Sequence, residues 1–551
     1  MSNFTNLEKI FNTTNDKDLF WSNLWATDPR MKQFIDEVLA TYTPSGSSEV
    51  NEILLTDSYK ATQFNMGFET EFDETGKKEF LSYMFASVEA RKGARDPYII
   101  VAGNDANSKF LTYARIQMWK IKDAIHFYAA HFSTPFHSGK YHFNPFPWLV
   151  VVLKYGGCLP LKYTGVPDGT IIPITIPICT VENTDPYCAQ LVSHFEGLLQ
   201  KAIWYPTTVA TNALGISTVI KQALLKTTSE DVVNGWLPFA LQDFAYRGVT
   251  SEDAARIGCG AVLYVTMGSD TVPAVKHVMD TMGNGQMLGY SVAAIEHNQA
   301  MMKGRDGEFL MVKRVLKAYP TGILSYVADT YDMNNFVETV TTGELFQLIM
   351  ARDGSFVLRP DSNFANADGT EMTPAETIRK IFTILKKNVP YTTNPQGFKV
   401  LDSHYKVIFG DGLNIPKIRS VCAVLVEDGW CVTNIVFGVG GNLAQNINRD
   451  TFRFAMKASE ETFEVTTADG QTYTEVRQVC KETPGKQSKK GRFHVGVFDG
   501  VVQCNSIDDP KVKDVPNMLV QYCVNGNETR PRDNIDTIRA RVSEGRRVLG
   551  L

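Results

Sequence analysis

Arg247, Arg359, Asp329, Asp361 and Asp411 bring guanidinium groups and carboxylates together in one stretch of the chain. That mixture suits a substrate bearing a diphosphate and ribose hydroxyls, accompanied by magnesium. The planar guanidinium fork matches phosphate oxygens, while Mg2+ keeps most of its waters and takes only one or two carboxylates. Any one of these residues can instead pair with another at a strand end; their joint placement favours a ligand. Two glycine motifs follow, Gly410-Asp411-Gly412 and Gly438-Val439-Gly440-Gly441. Small residues directly after strands let bare backbone amides approach a phosphate closely. Glycine after a strand is more often a plain turn, but two such motifs at the end of one series point to phosphate. Arg449, soon after Gly441, can add a bidentate contact.

His297 ends an apolar run beside Glu296, where a lone histidine is either a satisfied core group or a catalyst. Phe244 and Tyr246 in DFAYRG are either core aromatics or walls for something planar. His126, His131, His137 and His142 lie among aromatics without carboxylate or thiol ligands at helical spacing, so a metal centre is not expected there.

The elements that must position these groups follow one pattern: an apolar, β-prone run stops abruptly at a polar residue or glycine and a helix-like segment follows. The runs are AVLYVTMGSD ending at Asp270, SVAAIEH at His297, GILSYVAD at Asp329, SFVLRPD at Asp361, YKVIFGDG at Asp411 and TNIVFGVGG at Gly441. In a β/α barrel the carboxyl ends of such strands converge on one face, with phosphate often held after the last strands. One connecting helix is legible in detail. Thr373, Pro374 and Glu376 form a capping box with proline in the first turn, and Ile378, Ile381, Phe382 and Leu385 form its buried stripe. Residues 1–50 read as a helical extension closed by the linker TPSGSSE. Residues 51–200 read as a flanking domain, in which GVPDGTIIPITIPICTVENTDP suits edge strands and turns.

A chain of 551 residues is too long for one ordinary core. With 44% hydrophobic and 21% charged residues it has the composition of a soluble globular protein, and no run is long and apolar enough to span a membrane. The 55 basic against 60 acidic residues lack the basic excess of a nucleic-acid binder. The polar, acidic start MSNFTNLEKIFNTTNDKD does not resemble a secretory signal, so a cytoplasmic protein is expected. The nine cysteines include no C-x-x-C pair, which argues against a zinc ribbon or dithiol site and for reduced thiols. The cluster KQSKKGR reads as a solvated face.

The motifs TDSYK, VENTDP, WYPTTVATN, DFAYRGV, GSDT, YSVAAIEH, LRPDS, GDG and FGVGGNL occur in this order from about residue 51 onward. Together they resemble the nicotinamide phosphoribosyltransferases of the type II phosphoribosyltransferase family. The resemblance implies an α/β fold in which an irregular or incomplete β/α barrel, over 201–444, packs against a flanking α/β domain of 51–200 completed by 445–551. It also implies a head-to-tail homodimer with shared active sites. The implied reaction is that of a pentosyltransferase: nicotinamide and phosphoribosyl pyrophosphate (PRPP) give nicotinamide mononucleotide and pyrophosphate, in NAD biosynthesis and salvage.

By the same resemblance, Phe244 and the partner's Tyr59 sandwich the nicotinamide ring, and Asp270 accepts a hydrogen bond from its carboxamide. Arg247 and Arg359 hold diphosphate. Gly410, Asp411, Gly441 and Arg449 hold the ribose phosphate, with Arg91 as a further phosphate contact. Asp361 and Asp329 position magnesium through water, and Asp361 also positions the pyridine ring. His297 matches the histidine phosphorylated when ATP hydrolysis is coupled to synthesis. Nicotinate would set a second carboxylate beside Asp270, so the amide is the expected base.

Some motif positions depart from the family pattern: Gln242 for His, Ala245 for Gly, Met267 for Lys, Ala293 for Pro, Asn363 for Gly and Asn442 for Gly, with an insertion after Asn363. The charged and aromatic set is retained. The alternatives are a nicotinate phosphoribosyltransferase and a non-catalytic binding protein; retention of His297, Asp361 and both arginines argues against the second.

Overall fold

Seven parallel strands occupy the middle of the chain, Leu241–Asp243, Gly268–Ser269, Ala293–Ile295, Leu324–Val327, Phe356–Arg359, Tyr405–Phe409 and Ile435–Val439, and the last four are rich in β-branched and aromatic residues. The computed structural model describes residues 29–44, 49–69, 71–92, 94–484 and 486–551. It divides into two units, Met1–Tyr205 with Arg449–Asp533 and Pro206–Asn448 with Asn534–Leu551.

The seven strands belong to the second unit. Numbered as they occur along the chain, they lie side by side as second, first, seventh, sixth, fifth, fourth and third. A parallel bridge between Gly268 and Tyr290 brings the two ends of this order together: Ser269 N donates to Tyr290 O (3.0 Å) and Tyr290 N donates to Met267 O (2.7 Å). The result is a curled, irregular β/α barrel. The fourth strand is buried along its whole length, as expected for a parallel strand covered by helices. Register aligns Phe356 with Leu324 on one side and Tyr405 on the other, so the strand ends that carry the polar residues finish level.

The helix Pro374–Asn388 has the expected cap, with Thr373 accepting from Glu376 N (3.3 Å) and Glu376 accepting from Thr373 N (2.8 Å). Ile378, Ile381, Phe382 and Leu385 are buried. Two expectations change. AVLYVTMGSD is mostly not strand: Cys259–Val262 is helical, and only Gly268–Ser269 pairs in the sheet. An apolar run does not by itself distinguish a strand from a buried helix, and Gly260 lets this one pack closely on Val278, which a Cβ would approach to 3.2 Å. The helix Ile535–Leu549, expected in the flanking domain, belongs to the second unit, where Arg539 donates to Leu263 O (2.9 Å) and Leu288 O (3.0 Å).

The first unit is built on a seven-stranded sheet whose named pairs are antiparallel, centred on the long strand Lys77–Glu89 between Ala455–Thr467 and Pro177–Asn183. Pro177–Asn183 is buried throughout and interior to this sheet, not an edge strand; Pro177 sits at its first position, where a missing N–H is tolerated. Trp148, Tyr163 and Phe195 lie in the hydrophobic core. The helix Pro29–Thr41 adds Met31, Phe34, Ile35 and Val38 to it, a helical stripe. The rest of the expected helical extension, residues 1–28, lies outside the described residues.

Candidate active site

The first barrel strand ends at Asp243, whose side chain is fully buried and accepts from Ala245 N (2.8 Å) and Ser269 Oγ (3.2 Å). Burial pushes its carboxyl up to about 6. Asp243 therefore ties the turn carrying Phe244 to the second strand, and Asp270 N donates to Asp243 O (2.9 Å). The Phe244 ring rests on glycine. A Cβ on Gly438 would stand 2.2 Å from ring Cε2, and one on Gly410 would stand 3.6 Å from the ring. Gly438 lies inside the strand Ile435–Val439, not after it, and is required by the aromatic ring above it. At the next step of the chain, a Cβ on Gly248 would stand 3.2 Å from Gly441 Cα, so the two backbones nearly touch.

Asp270 accepts from Ser291 Oγ at 2.5 Å. Across the strand ends, His297 Nε2 lies 3.2 Å from Asp329 Oδ1, and Ser362 Oγ donates to Asp329 Oδ2 (2.7 Å). One carboxylate is thereby shared between a histidine and a hydroxyl. His297 Nδ1 lies 4.0 Å from Asp361 Oδ2. Arg359 donates to Ile295 O (2.8 Å), while its buried Nε has no hydrogen-bond partner. Phe244, Arg247, Asp270, Glu296, His297, Arg359 and Asp361 line one cleft of ≈ 300 Å³. The Asp411 carboxyl is raised by burial, then by Glu371, Asp361 and Asp329, with Lys417 opposing.

Most of the residues singled out by sequence thus meet at one end of the second unit. Tyr59, Arg91 and Arg449 belong to the first. Tyr59 is 57% exposed on the short helix Ser58–Thr62, with Lys60 Nζ 5.4 Å from its ring centroid. Arg91 donates to Arg453 O (2.9 Å) and shares a small recess with Lys457 and Lys489. Arg449 pairs with Asp450 (2.9 Å). His126 contacts Val38 O (3.0 Å) and His131 contacts Ser58 Oγ (2.7 Å). Among the described residues no three His, Cys, Asp or Glu side chains converge to cage a metal. Sequence reasoning assigned no role to Asp243, Ser291 or Ser362; each stands inside a quoted motif, and the available signal was a polar residue at a strand end.

Residues 239–520 match the nicotinate phosphoribosyltransferase (NAPRTase) family. The chain belongs to this family. A nicotinamide phosphoribosyltransferase of Xanthomonas campestris pv. campestris is 30% identical over 452 residues, 80% of this chain and 87% of the relative. One from Mycoplasma pneumoniae is 30% identical over 353 residues, 63% and 74% of the two chains. Among solved structures, the nicotinate-nucleotide pyrophosphorylase from Pyrococcus furiosus matches with a TM-score of 0.57 at 14% identity, covering 93% of this chain and 99% of that one. The NAPRTase-family chain therefore has the type II phosphoribosyltransferase fold, and the cleft at its strand ends is where that family membership directs attention.

Proposed function

We propose that this chain is a nicotinamide phosphoribosyltransferase that joins nicotinamide to PRPP and releases pyrophosphate, in the salvage of NAD. The observation that carries the reading is one cleft combining a glycine-backed aromatic ring, the Asp270 carboxylate and two guanidinium groups. Phe244 offers a face to the pyridine ring. Asp270 has one oxygen engaged by Ser291, and its other oxygen accepts the carboxamide N–H. Arg247 and Arg359 grip the diphosphate, and Gly410, Asp411 and Gly441 hold the ribose phosphate through backbone amides, which leaves the Asp411 carboxylate for the ribose hydroxyls.

As pyrophosphate leaves the anomeric carbon, positive charge builds on the ribose and the pyridine nitrogen attacks the opposite face. The protein's work is orientation and stabilisation of the leaving diphosphate, and no strong general base is needed. Magnesium, when bound, would neutralise that diphosphate. Asp361 and Asp329 suit its water shell, since a cation that keeps its waters needs one or two carboxylates and not a cage. We assign Tyr59, Arg91 and Arg449 to completing the site in a head-to-tail homodimer with two shared sites. Nine free thiols are consistent with a cytoplasmic setting. Among the described residues no helix is long and apolar enough to cross a membrane.

Asp329 engages His297 through Nε2, leaving Nδ1 for phosphorylation by ATP. A phosphoryl group there adds about −1.5 to −2 charges, which strengthens the hold on magnesium and substrate. Purified protein with PRPP, magnesium and nicotinamide is expected to form mononucleotide and pyrophosphate in equal amounts, faster with ATP. His297→Ala should keep the ATP-independent rate and lose the stimulation. Undiminished stimulation in that variant would remove His297 from the coupling, and absence of product from the wild type would remove the reaction.

A further inference from the structure

The insertion after Asn363 is a built hairpin. Ala365 and Glu371 form an antiparallel bridge, Asn366 N donates to Thr370 O (2.7 Å), and Met372 N donates to Phe364 O (2.8 Å). Its base is anchored: Phe364 is buried, its N–H donates to Thr377 Oγ1 (3.2 Å), and Lys380 Nζ lies 4.0 Å from its ring centroid. The hairpin returns the chain so that Glu371 stands beside Asn363, and the Asn363 amide donates both to Glu371 Oε1 (2.7 Å) and to Asp411 Oδ2 (3.2 Å).

Two features give this bridge a purpose. Asn363 Oδ1 is buried without a hydrogen-bond partner. Leaving a buried acceptor unpaired is costly, so the side chain is placed for its two donors and not for its acceptor. The negative charges around Asp411 are those of Glu371, Asp361 and Asp329, opposed by Lys417. Without a donor between them, Asp411 and Glu371 would repel each other and Asp411 would turn away. With the amide between them, Asp411 Oδ2 is held and Oδ1 is left for a ligand.

We propose that Asn363, supported by Glu371 from the inserted hairpin, is a positioning residue that presents the Asp411 carboxylate to the ribose of PRPP. The inference rests on the reaction proposed above. It assigns the hairpin a part in sugar-phosphate recognition and none in recognition of the base.

The test is steady-state kinetics of the full chain with PRPP and nicotinamide varied separately, alongside thermal unfolding. Asn363→Ala should raise KM for PRPP about tenfold, the size expected when one hydrogen bond to a charged group is lost. The effect on kcat should be smaller, and KM for nicotinamide should stay unchanged. Asn363→Asp is nearly isosteric but sets a third carboxylate between the other two, so its KM for PRPP should rise further. Glu371→Ala leaves Asn363 in place but unclamped and should shift the same constant in the same direction by less, which covers the case of an Asn363→Ala protein that fails to fold. KM for PRPP within about twofold of wild type in both Asn363→Asp and Glu371→Ala overturns the proposal, as does an equal rise in KM for nicotinamide. If the wild type binds PRPP by calorimetry yet forms no nucleotide, the proposed reaction fails. The same series is then read in the dissociation constant for PRPP, with the same ranking expected and a flat series counting against the inference.

Discussion

Arg359→Ala is expected to lower kcat/KM for PRPP by roughly 10²–10³-fold, the range seen when one preorganised donor to developing charge is removed. Arg359 closes the fifth barrel strand, and one of its terminal nitrogens is fixed by Ile295 O at 2.8 Å, so the guanidinium plane is set before substrate arrives. In the proposed reaction a fork held in this way would stabilise the departing diphosphate without reorganising, beside the carboxylates that would hold the magnesium shell. Arg359→Lys keeps the charge but loses the planar pair of donors, so it should recover only part of the rate. Steady-state kinetics on both variants, with melting temperatures as the control for the lost bond to Ile295, decides the matter. A lysine variant as active as wild type would mean that charge alone is required there.

The second large effect concerns the base. Two carboxylates 4 Å apart at an effective dielectric of 20 repel by about 4 kcal/mol, roughly a thousandfold in affinity. Asp270 should therefore exclude nicotinate while accepting the carboxamide of nicotinamide. Asp270→Asn removes the charge and retains an oxygen that can accept from Ser291 Oγ, the contact now made at 2.5 Å. The ratio of kcat/KM values for nicotinamide over nicotinate is expected to fall by up to that thousandfold in the variant, chiefly through admission of nicotinate. A ratio left at its wild-type value would show that discrimination lies elsewhere in the cleft.

Much of this site was legible from strand ends. Asp329, Asp361 and Asp411 each follow an apolar run that is a barrel strand, and the β/α pattern requires such ends to meet. The strand carrying Asp243 is not legible because LQD offers neither a β-prone apolar run nor a period. The run before Asp270 reads as a strand from its apolar residues alone, which are equally at home in the buried helix Cys259–Val262. The meaning of Gly438 was also hidden. A GVGG run suggests an anion loop directly after a strand, whereas Gly438 lies inside the strand Ile435–Val439 and clears space for Phe244, a contact between residues almost two hundred positions apart that no local pattern announces. Ser362 and Asn363 illustrate the same limit: their partners Asp329 and Asp411 follow the ends of neighbouring strands, so their roles emerge only when the sheet is formed.

The central claim is that this cleft transfers a phosphoribosyl group to the amide and not to the acid. The most direct measurement is a competition in which purified protein, PRPP and magnesium receive equal concentrations of nicotinamide and nicotinate, and both mononucleotides are followed by chromatography from the first turnovers. Nicotinamide mononucleotide should accumulate with at least about a hundredfold preference, within the repulsion expected at Asp270. Predominant nicotinate mononucleotide, or neither product from folded protein, would contradict it.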